Sequence, residues 1–257
     1  MPATIAIPPV RDSACQAAEA VNCARCALQK LCLPTGLQAA EVQRLDGIIA
    51  HRRKVPRGAS LYRMNDAFSR IYAIRVGHFK TYQLNPRGEQ QISGFQMPGE
   101  LLGLDAIGAD QHHCGATALE DSEVCEVPFA QLELLLGEIP QLLRHFHRLI
   151  GQELTREQNA MLLLATMRAD QRMAVFLTGL GARHAARGYA EHRFQLRMLR
   201  EEMGNYLGLT IESVSRLLSR FRRSGLLRVH NRDVEILDLA GLRAVAAGQQ
   251  SLPRSAT

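Results

Sequence analysis

Short apolar runs separated by glycine and proline fill residues 53–129. Four of these runs have the length and the β-branched or aromatic content of strands, and they lie at 60–63, 70–74, 79–84 and 124–127. Turn residues lie between them, at Gly58, Gly77, 85–88 and 98–99. Strands at this spacing predict an antiparallel barrel or sandwich.

The pattern changes after Pro140, where apolar residues recur every three or four positions over residues 140–165. This periodicity predicts one long helix with a mostly apolar stripe, typical of a core helix or of a seam between two subunits. We favour the seam, because the helix pair predicted at 199–223 calls for a two-fold symmetric dimer. Glu153 and Glu157 form a like-charge pair near the stripe. The pair either weakens association or lies on a solvated edge.

Beyond residue 168 helices alternate with short connectors, and Gly179, Gly181 and Gly188 are expected to mark turns. Residues 199–223 predict two helices around a tight turn. The first covers about 200–206 with Met203 and Leu207 facing inward. Gly208 supplies the turn and Thr210 the N-cap of the second helix.

The second helix of this pair has one apolar and one polar side. The apolar side is predicted to contain Ile211, Val214, Leu217, Leu218 and Phe221. The polar side presents Glu212, Ser215, Arg216 and Ser219 at helical spacing. Such a face fits a major groove, where Arg216 can bond guanine and Glu212 can accept from a base amine. The apolar runs at 226–230 and 234–237 predict a hairpin, and hence a winged helix-turn-helix.

Charge supports a nucleic-acid partner. The net charge of +6 is concentrated in residues 165–257, which carry 15 arginines and 8 acidic residues, whereas residues 1–164 carry 16 basic and 17 acidic residues. A basic terminal domain beside a nearly neutral one indicates a polyanion partner. The polar face of the second helix then favours double-stranded DNA over RNA or a membrane surface.

Length and composition exclude several other classes of protein. The chain has 257 residues, 46% hydrophobic and 22% charged, which is ordinary for a globular protein. It contains no run of 18 apolar residues and no basic start followed by an apolar stretch, so we expect a cytoplasmic protein without a membrane partner. It has no dinucleotide-binding glycine motif, no P-loop and no catalytic constellation, so we do not expect an enzyme. His112 and His113 are expected in a solvated loop, and His51 at a basic helix end.

Six cysteines in such a chain indicate metal or redox chemistry rather than disulfides. Cys23, Cys26 and Cys32 place three thiols within ten residues. Three thiols do not complete a four-ligand site, so the fourth ligand must be Cys15, Cys114 or Cys125. Spacing alone leaves zinc, an iron–sulfur cluster and free structural cysteines open.

The sequence resembles the FNR (fumarate and nitrate reduction regulator) branch of the CRP/FNR transcription factors over about residues 15–247. The resemblance is carried by the Cys23-x2-Cys26-x5-Cys32 spacing and by the segments at 91–95, 118–120, 124–129 and, most strongly, 204–216. It implies an α+β fold with an N-terminal cyclic-nucleotide-binding-like jelly-roll β-barrel, a long dimerisation helix and a C-terminal winged helix-turn-helix. The corresponding segments are 1–34 (tail and cysteine-rich loop), 35–138, 139–166, 167–240 with the helix-turn-helix at 200–219, and 241–257.

The resemblance also implies roles for individual residues. Cys23, Cys26, Cys32 and Cys125 would hold one oxygen-labile 4Fe-4S cluster per subunit, with oxygen as the signal. The homodimer seam would contain Leu154, Glu157 and Met161. Palindromic operator DNA would be read by Glu212, Ser215 and Arg216. RNA polymerase would be touched at Gly88 and Glu89.

The sequence departs from relatives that bind cyclic AMP. Where those carry an acidic residue after a glycine and later an Arg-Ser pair, this chain has Leu104 after Gly103 and then Gly115-Ala116. We therefore expect no cyclic nucleotide partner. Leu199 replaces the usual N-cap before the first DNA-domain helix, at a cost of about 1 kcal/mol.

The expected function is thus an oxygen-sensing global transcriptional regulator that controls anaerobic metabolism genes. Two alternatives stay open: a DNA-binding regulator with structural zinc, and an iron–sulfur electron-transfer protein. The second leaves the arginine-rich last third unexplained.

Overall fold

The computed structural model describes residues 22–49 and 51–250. A short 3-10 turn at Cys23–Arg25 precedes helix α1 at Ala39–Ile48. Eight strands follow, and β1 to β8 span His51–Val55, Ser60–Tyr62, Arg70–Val76, Phe79–Leu84, Gln90–Gln96, Leu101–Leu102, Gly115–Ala118 and Ser122–Pro128. Helices α2 at Phe129–Glu138 and α3 at Pro140–Thr166 come next. The predicted tail at 1–14 and Cys15 lie outside the described residues.

The eight strands form two antiparallel sheets, with strand orders β1-β8-β3-β6 and β2-β7-β4-β5. Side chains from both sheets fill the space between them, and the buried set includes Leu61, Tyr62, Ile74, Phe79 and Val124. The alternation of inward and outward side chains along each strand produces this core. The predicted antiparallel barrel and the α+β class are therefore confirmed.

A second core lies on the outer face of the first sheet. It joins the cysteine-rich loop, α1, α2 and the first half of α3 through buried residues such as Leu33, Leu45, Val127, Leu132, Leu142 and Phe146. Strand β8 contributes to both cores, because Val124 faces the barrel interior while Cys125 and Val127 pack on the outer face. The cysteine-rich loop is thus packed against the wall of the barrel.

The long helix is confirmed as an element, with 27 residues that begin at Pro140, where the missing N–H costs no hydrogen bond. Its first turns are buried at Leu142 and Phe146, whereas most of its second half is exposed. Within the described ranges, no helix combines the length and apolar character needed to cross a lipid bilayer.

The C-terminal part is a winged helix-turn-helix. Its elements are α4 (Ala169–Ala186), β9 (Arg193–Gln195), α5 (Arg200–Leu207), α6 (Ile211–Arg223), β10 (Leu227–His230), β11 (Asp233–Ile236) and α7 (Leu239–Ala246). Met203 and Leu207 are fully buried, as predicted. Gly208 adopts the left-handed conformation with φ of 62°, and the Thr210 hydroxyl accepts from the amide of Ser213. The wing is the antiparallel pair β10–β11, which β9 extends to three strands.

Three expectations about local structure were wrong. Gly179 and Gly181 lie inside α4 rather than in turns. A Cβ at Gly181 would come 2.4 Å from the Glu191 oxygen, so this glycine permits a close backbone approach. Gly188 does adopt a turn conformation, with φ of 80°. His51 begins strand β1 instead of ending a helix.

The barrel and the C-terminal part share an apolar interface. Phe95 of β5 packs against Phe176 of α4 and Tyr206 of α5, with ring centroids 6.0 and 5.3 Å away. The ammonium of Lys80 lies 2.8 Å from the Glu202 carboxylate across the same interface. The position of the DNA-reading helices relative to the barrel is therefore fixed by packing and by an ion pair.

Candidate functional site

Four cysteine side chains line one small cavity of about 30 Å³ between the cysteine-rich loop and β8. They are Cys23, Cys26, Cys32 and Cys125. The other walls are mostly apolar, and Arg75 is the charged residue among them. Cys114, by contrast, is buried in the barrel interior beside the Tyr62 hydroxyl. The structure thus brings Cys125, and not Cys114, to the three loop thiols.

Local hydrogen bonds fold the cysteine loop. The Cys26 amide donates to the Cys23 oxygen at 3.1 Å, and the Cys32 amide donates to the Leu28 oxygen at 3.0 Å. The Cys23 amide donates to Asp46 Oδ1 of α1 at 2.9 Å. These bonds turn the chain back on itself, and they direct three thiols of a ten-residue segment toward β8.

Burial controls the protonation of these thiols. It raises the pKa of Cys23, which the Asp46 carboxylate raises further, and it raises the pKa of Cys32 to about 12. Burial also raises the pKa of Cys125, against the opposing effect of Arg52 and Arg75. Without a positively charged centre these three thiols stay protonated at neutral pH. A metal centre would favour their thiolate forms.

The chemistry of these four thiols fits a sulfur-ligated metal centre. Four thiols with apolar surroundings suit zinc as well as an iron–sulfur cluster, since both are held by four cysteine thiolates. In residues 22–49 and 51–250, no group of three or more His, Cys, Asp or Glu side chains is arranged to hold a single metal ion. The chemistry of the four thiols alone therefore does not distinguish zinc from an iron–sulfur cluster.

The second predicted site is the polar face of α6. Glu212 and Arg216 are exposed and Ser215 is partly exposed, so all three reach the surface. The Arg200 guanidinium donates to the Ser215 hydroxyl at 3.3 Å. Hydrogen bonds from its own backbone amide and from the Thr210 hydroxyl lower the pKa of Glu212, which stays ionised. Ile211 was expected on the buried side but is 46% exposed, because it begins the helix beyond the edge of the core.

The third predicted site is the second half of α3. Leu154 and Met161 are 54% and 73% exposed, and Glu157 is also exposed on the same face. Glu153 points elsewhere, since its carboxylate lies 2.9 Å from Arg156 and is partly buried against its own chain. Of the two acidic residues considered from the sequence, only Glu157 lies on the exposed apolar face.

Two domain families match this chain: the cyclic nucleotide-binding domain over residues 52–138, and the Crp-like helix-turn-helix domain over residues 171–245. The transcriptional regulatory protein btr of Bordetella pertussis is 43% identical over 91% of this chain and 96% of its own length. The transcriptional activator protein FnrA of Stutzerimonas stutzeri is 42% identical over 88% of this chain and 93% of its own. The chain belongs to the CRP/FNR family.

Membership of the family makes this chain a DNA-binding transcriptional regulator and not an enzyme. The structure agrees with that of FixK2 from Bradyrhizobium japonicum, with a TM-score of 0.69 at 28% identity. That match covers 80% of this chain and 98% of FixK2. The barrel, long helix and winged helix-turn-helix are therefore the CRP/FNR arrangement.

Gly103 and Gly115 lie beside aromatic side chains in the barrel. The Gly103 amide donates to the Tyr62 hydroxyl at 3.0 Å, and a Cβ at Gly115 would lie 2.5 Å from the Tyr82 ring. His112 stacks on Tyr62 at 3.9 Å and is buried, so the expectation that it is solvated was wrong. Aromatic rings thus pack against the backbone at Gly103 and Gly115.

The predicted polymerase surface lies in the β4–β5 turn. Gly88 adopts φ of 78°, and both Gly88 and Glu89 are exposed. The Asn85 amide donates to the Glu89 carboxylate at 2.7 Å and fixes its position. The turn therefore presents a defined acidic side chain to solvent.

Several residues at these sites escaped the sequence analysis. Asp46 holds the Cys23 amide, and Arg200 bonds Ser215. Neither has a sequence signal, because both depend on contacts between different elements. Leu199 has no side chain that can cap the helix, as expected. The backbone amide of Leu199 nevertheless donates to the Glu202 carboxylate at 2.7 Å, which partly replaces the missing cap.

Proposed function

We propose that this regulator senses oxygen through a 4Fe-4S cluster, one per subunit, held by Cys23, Cys26, Cys32 and Cys125. With the cluster intact under anaerobic conditions it binds palindromic promoter DNA as a homodimer and controls genes of anaerobic metabolism. The observation that carries this proposal is that four thiols from two distant parts of the chain line one cavity.

A cluster is favoured over zinc by the names of the relatives. Arg52 and Arg75 act on Cys125 from the barrel side and would offset the negative charge that four thiolates give to either centre. Relatives at 41–42% identity are named anaerobic regulatory protein in Haemophilus influenzae and transcriptional activator protein anr in Pseudomonas aeruginosa. When bound, the cluster supplies an oxygen-labile link between the loop and the barrel wall.

The dimer is proposed to form along α3. Leu154 and Met161 present apolar surface next to Glu157, whose charge opposes the approach of a second copy. Tying the loop to the barrel changes its packing on the first half of α3 and offsets this repulsion. A centre that binds only the dimer-competent state shifts the population toward that state by mass action.

The dimer would present two α6 helices to successive major grooves, roughly 34 Å apart. Arg216 can bond guanine in bidentate fashion, Glu212 can accept from a base amine, and Ser215 can bond a base or a phosphate. The ionised carboxylate of Glu212 favours base reading over simple attraction to phosphates. Gly88 and Glu89 are proposed to contact RNA polymerase once the dimer is bound.

The deciding experiment compares full-length protein purified without oxygen before and after exposure to air. Iron and acid-labile sulfide, visible absorption and binding to a palindromic operator are measured on the same sample. We expect coloured protein whose DNA binding is lost in air. Cys125→Ala should lose both colour and binding, while Cys114→Ala, a cysteine outside the cavity, should keep both.

The alternatives give different results. Colourless protein with air-indifferent DNA binding would establish structural zinc. Coloured protein that ignores DNA would establish electron transfer. Operator binding by an anaerobic Cys125→Ala dimer would contradict the proposed mechanism.

A further inference from the structure

The turn between β5 and β6 contacts the cysteine loop on one side. Gly99 in this turn has φ of 90°, and a Cβ added to it would lie 2.9 Å from Cβ of Leu31 and 3.9 Å from Cδ2 of Leu28. Leu31 directly precedes Cys32 in the sequence. A displacement of the loop at Cys32 therefore acts on the backbone of this turn through the side chain of Leu31.

The same turn is bonded to the end of α4 on its other side. Arg183 forms a two-bond fork with the Glu100 carboxylate, at 3.1 Å through Nε and 2.7 Å through Nη2. Arg187 donates to Glu100 at 2.7 Å and to the Pro98 oxygen at 2.7 Å. Arg183 also donates to the Phe95 oxygen at 2.6 Å. The first helix of the DNA-binding domain is thus attached to the turn by four hydrogen bonds and to the adjoining end of β5 by a fifth.

These ion pairs are largely removed from solvent. The side chains of Glu100 and Arg187 are 14% and 5% exposed. Burial raises the pKa of Glu100, but Arg183, followed by Arg156 and Arg187, lowers it to about 2, so the carboxylate is ionised. A buried ionised side chain has lost its hydration, so breaking its ion pairs costs a large amount of free energy. The ion pairs therefore follow the turn rather than break when it moves.

The beginning of α4 is connected to the DNA-reading helices. Helix α4 packs against α5 and α6. Arg172 of α4 donates to the Leu207 oxygen at 2.7 Å, at the end of α5 immediately before the turn of the helix-turn-helix. A shift of α4 is thus passed on to the helix that carries Arg216.

We propose that Glu100 is a positioning residue that transmits the state of the cysteine loop to the DNA-binding domain of the same subunit. The path runs from Leu31 through Gly99 and Glu100 to Arg183 and Arg187, and the Glu100 carboxylate also lies 3.3 Å from Arg156 of α3. The inference rests on the proposed function, because it needs a loop whose state changes. It adds that cluster loading orients the DNA-reading helices within each subunit as well as pairing two subunits.

The chain provides a matched control. Lys80 and Glu202 form another shielded ion pair between the barrel and the DNA-binding domain, with side chains 16% and 15% exposed. Neither residue belongs to the turn that Leu31 contacts. Glu202→Gln therefore loosens the same domain interface without interrupting the path through Glu100.

The test is amide hydrogen exchange, followed by mass spectrometry, on full-length protein with and without anaerobic loading by ferrous iron and sulfide. In the unsubstituted protein, loading should slow exchange in the cysteine loop at 23–33 and also by about tenfold in residues 183–187. In Glu100→Gln the loop should still respond, whereas residues 183–187 should not. In Glu202→Gln both segments should respond.

A second variant removes the contact on the loop side. Leu31→Gly takes away the Cβ that faces Gly99 and keeps every hydrogen bond of Glu100, so it should abolish the response of residues 183–187 with an unchanged unfolding temperature of the DNA-binding domain. The inference is overturned if residues 183–187 of Glu100→Gln or Leu31→Gly respond as in the unsubstituted protein, or if those of the unsubstituted protein do not respond while its loop does. A loop that does not respond to loading would instead overturn the proposed function.

Discussion

Nε2 of His145 lies 2.9 Å from the backbone oxygen of Cys32. Burial lowers the pKa of His145 against the opposing effect of the Cys32 carbonyl, so the ring is neutral and Nε2–H donates to that oxygen. His145 belongs to the buried first half of α3. A side chain of the long helix is thus bonded directly to the backbone of a proposed ligand residue.

Replacing this histidine should weaken the link between cluster and dimer. His145→Leu removes one hydrogen bond of about 1 kcal/mol from each subunit, so the dissociation constant of the proposed cluster-loaded dimer should rise about thirtyfold. Sedimentation equilibrium under anaerobic conditions measures this constant, and iron content should be unchanged. His147 is exposed on the same helix, so His147→Leu serves as the control and should have no effect. An unchanged dimer in His145→Leu would refute the link.

The exposed face of α3 predicts a second effect on dimerisation. Leu154→Ala removes apolar surface that the proposed seam would bury, and it should weaken the dimer by about 2 kcal/mol per subunit. Leu134 of α2 is 70% exposed but lies outside the seam, so Leu134→Ala should leave the dimer unchanged. Equal effects of the two substitutions in analytical ultracentrifugation would show that the seam lies elsewhere.

The polar face of α6 predicts a change in base preference. Arg216→Lys loses the planar fork that fits guanine, so operator affinity should fall by about 1–3 kcal/mol and discrimination at one base pair should relax. Fluorescence anisotropy with operators substituted at each position measures both quantities. Arg243→Lys, on the exposed surface of α7, is the control. A uniform loss on every sequence would indicate a phosphate contact instead.

The ion pairs of Glu100 predict an acid-dependent loss of stability. The pKa of Glu100 is lowered to about 2 from an ordinary value of 4.5, so its stabilisation is fully present above pH 4.5 and is lost as pH falls toward 2. This difference corresponds to about 3 kcal/mol. In chemical denaturation at a series of pH values, Glu100→Gln should be less stable than the unsubstituted protein at pH 6, and the gap should narrow below pH 4.5. A gap of constant size would disprove a role for ionised Glu100.

Local elements were predictable wherever one stretch of sequence contains the whole signal. The turn at Gly208, the cap at Thr210 and the inward positions Met203 and Leu207 follow from a few neighbouring residues, and the structure confirms them. Gly181 was misassigned because a glycine that permits close approach looks the same in sequence as one in a turn.

Contacts between distant elements could not be predicted from periodicity. The spacing of the cysteines left Cys15, Cys114 and Cys125 open as the fourth ligand, and only the family resemblance pointed to Cys125. The ion pairs of Glu100 join residues 83 and 87 positions apart. Such pairs depend on how the barrel and the C-terminal part dock, and a pattern of apolar positions contains no information on that docking.

The two faces of β8 separate the proposed sensing role from folding. Val124 completes the barrel interior, while the adjacent Cys125 faces outward toward the loop. Successive residues of a strand point to opposite sides, so a substitution at Cys125 leaves the interior packing in place. One substitution can therefore add or remove the proposed ligand while the barrel persists, which makes the stimulus that such a regulator detects easier to change than its architecture.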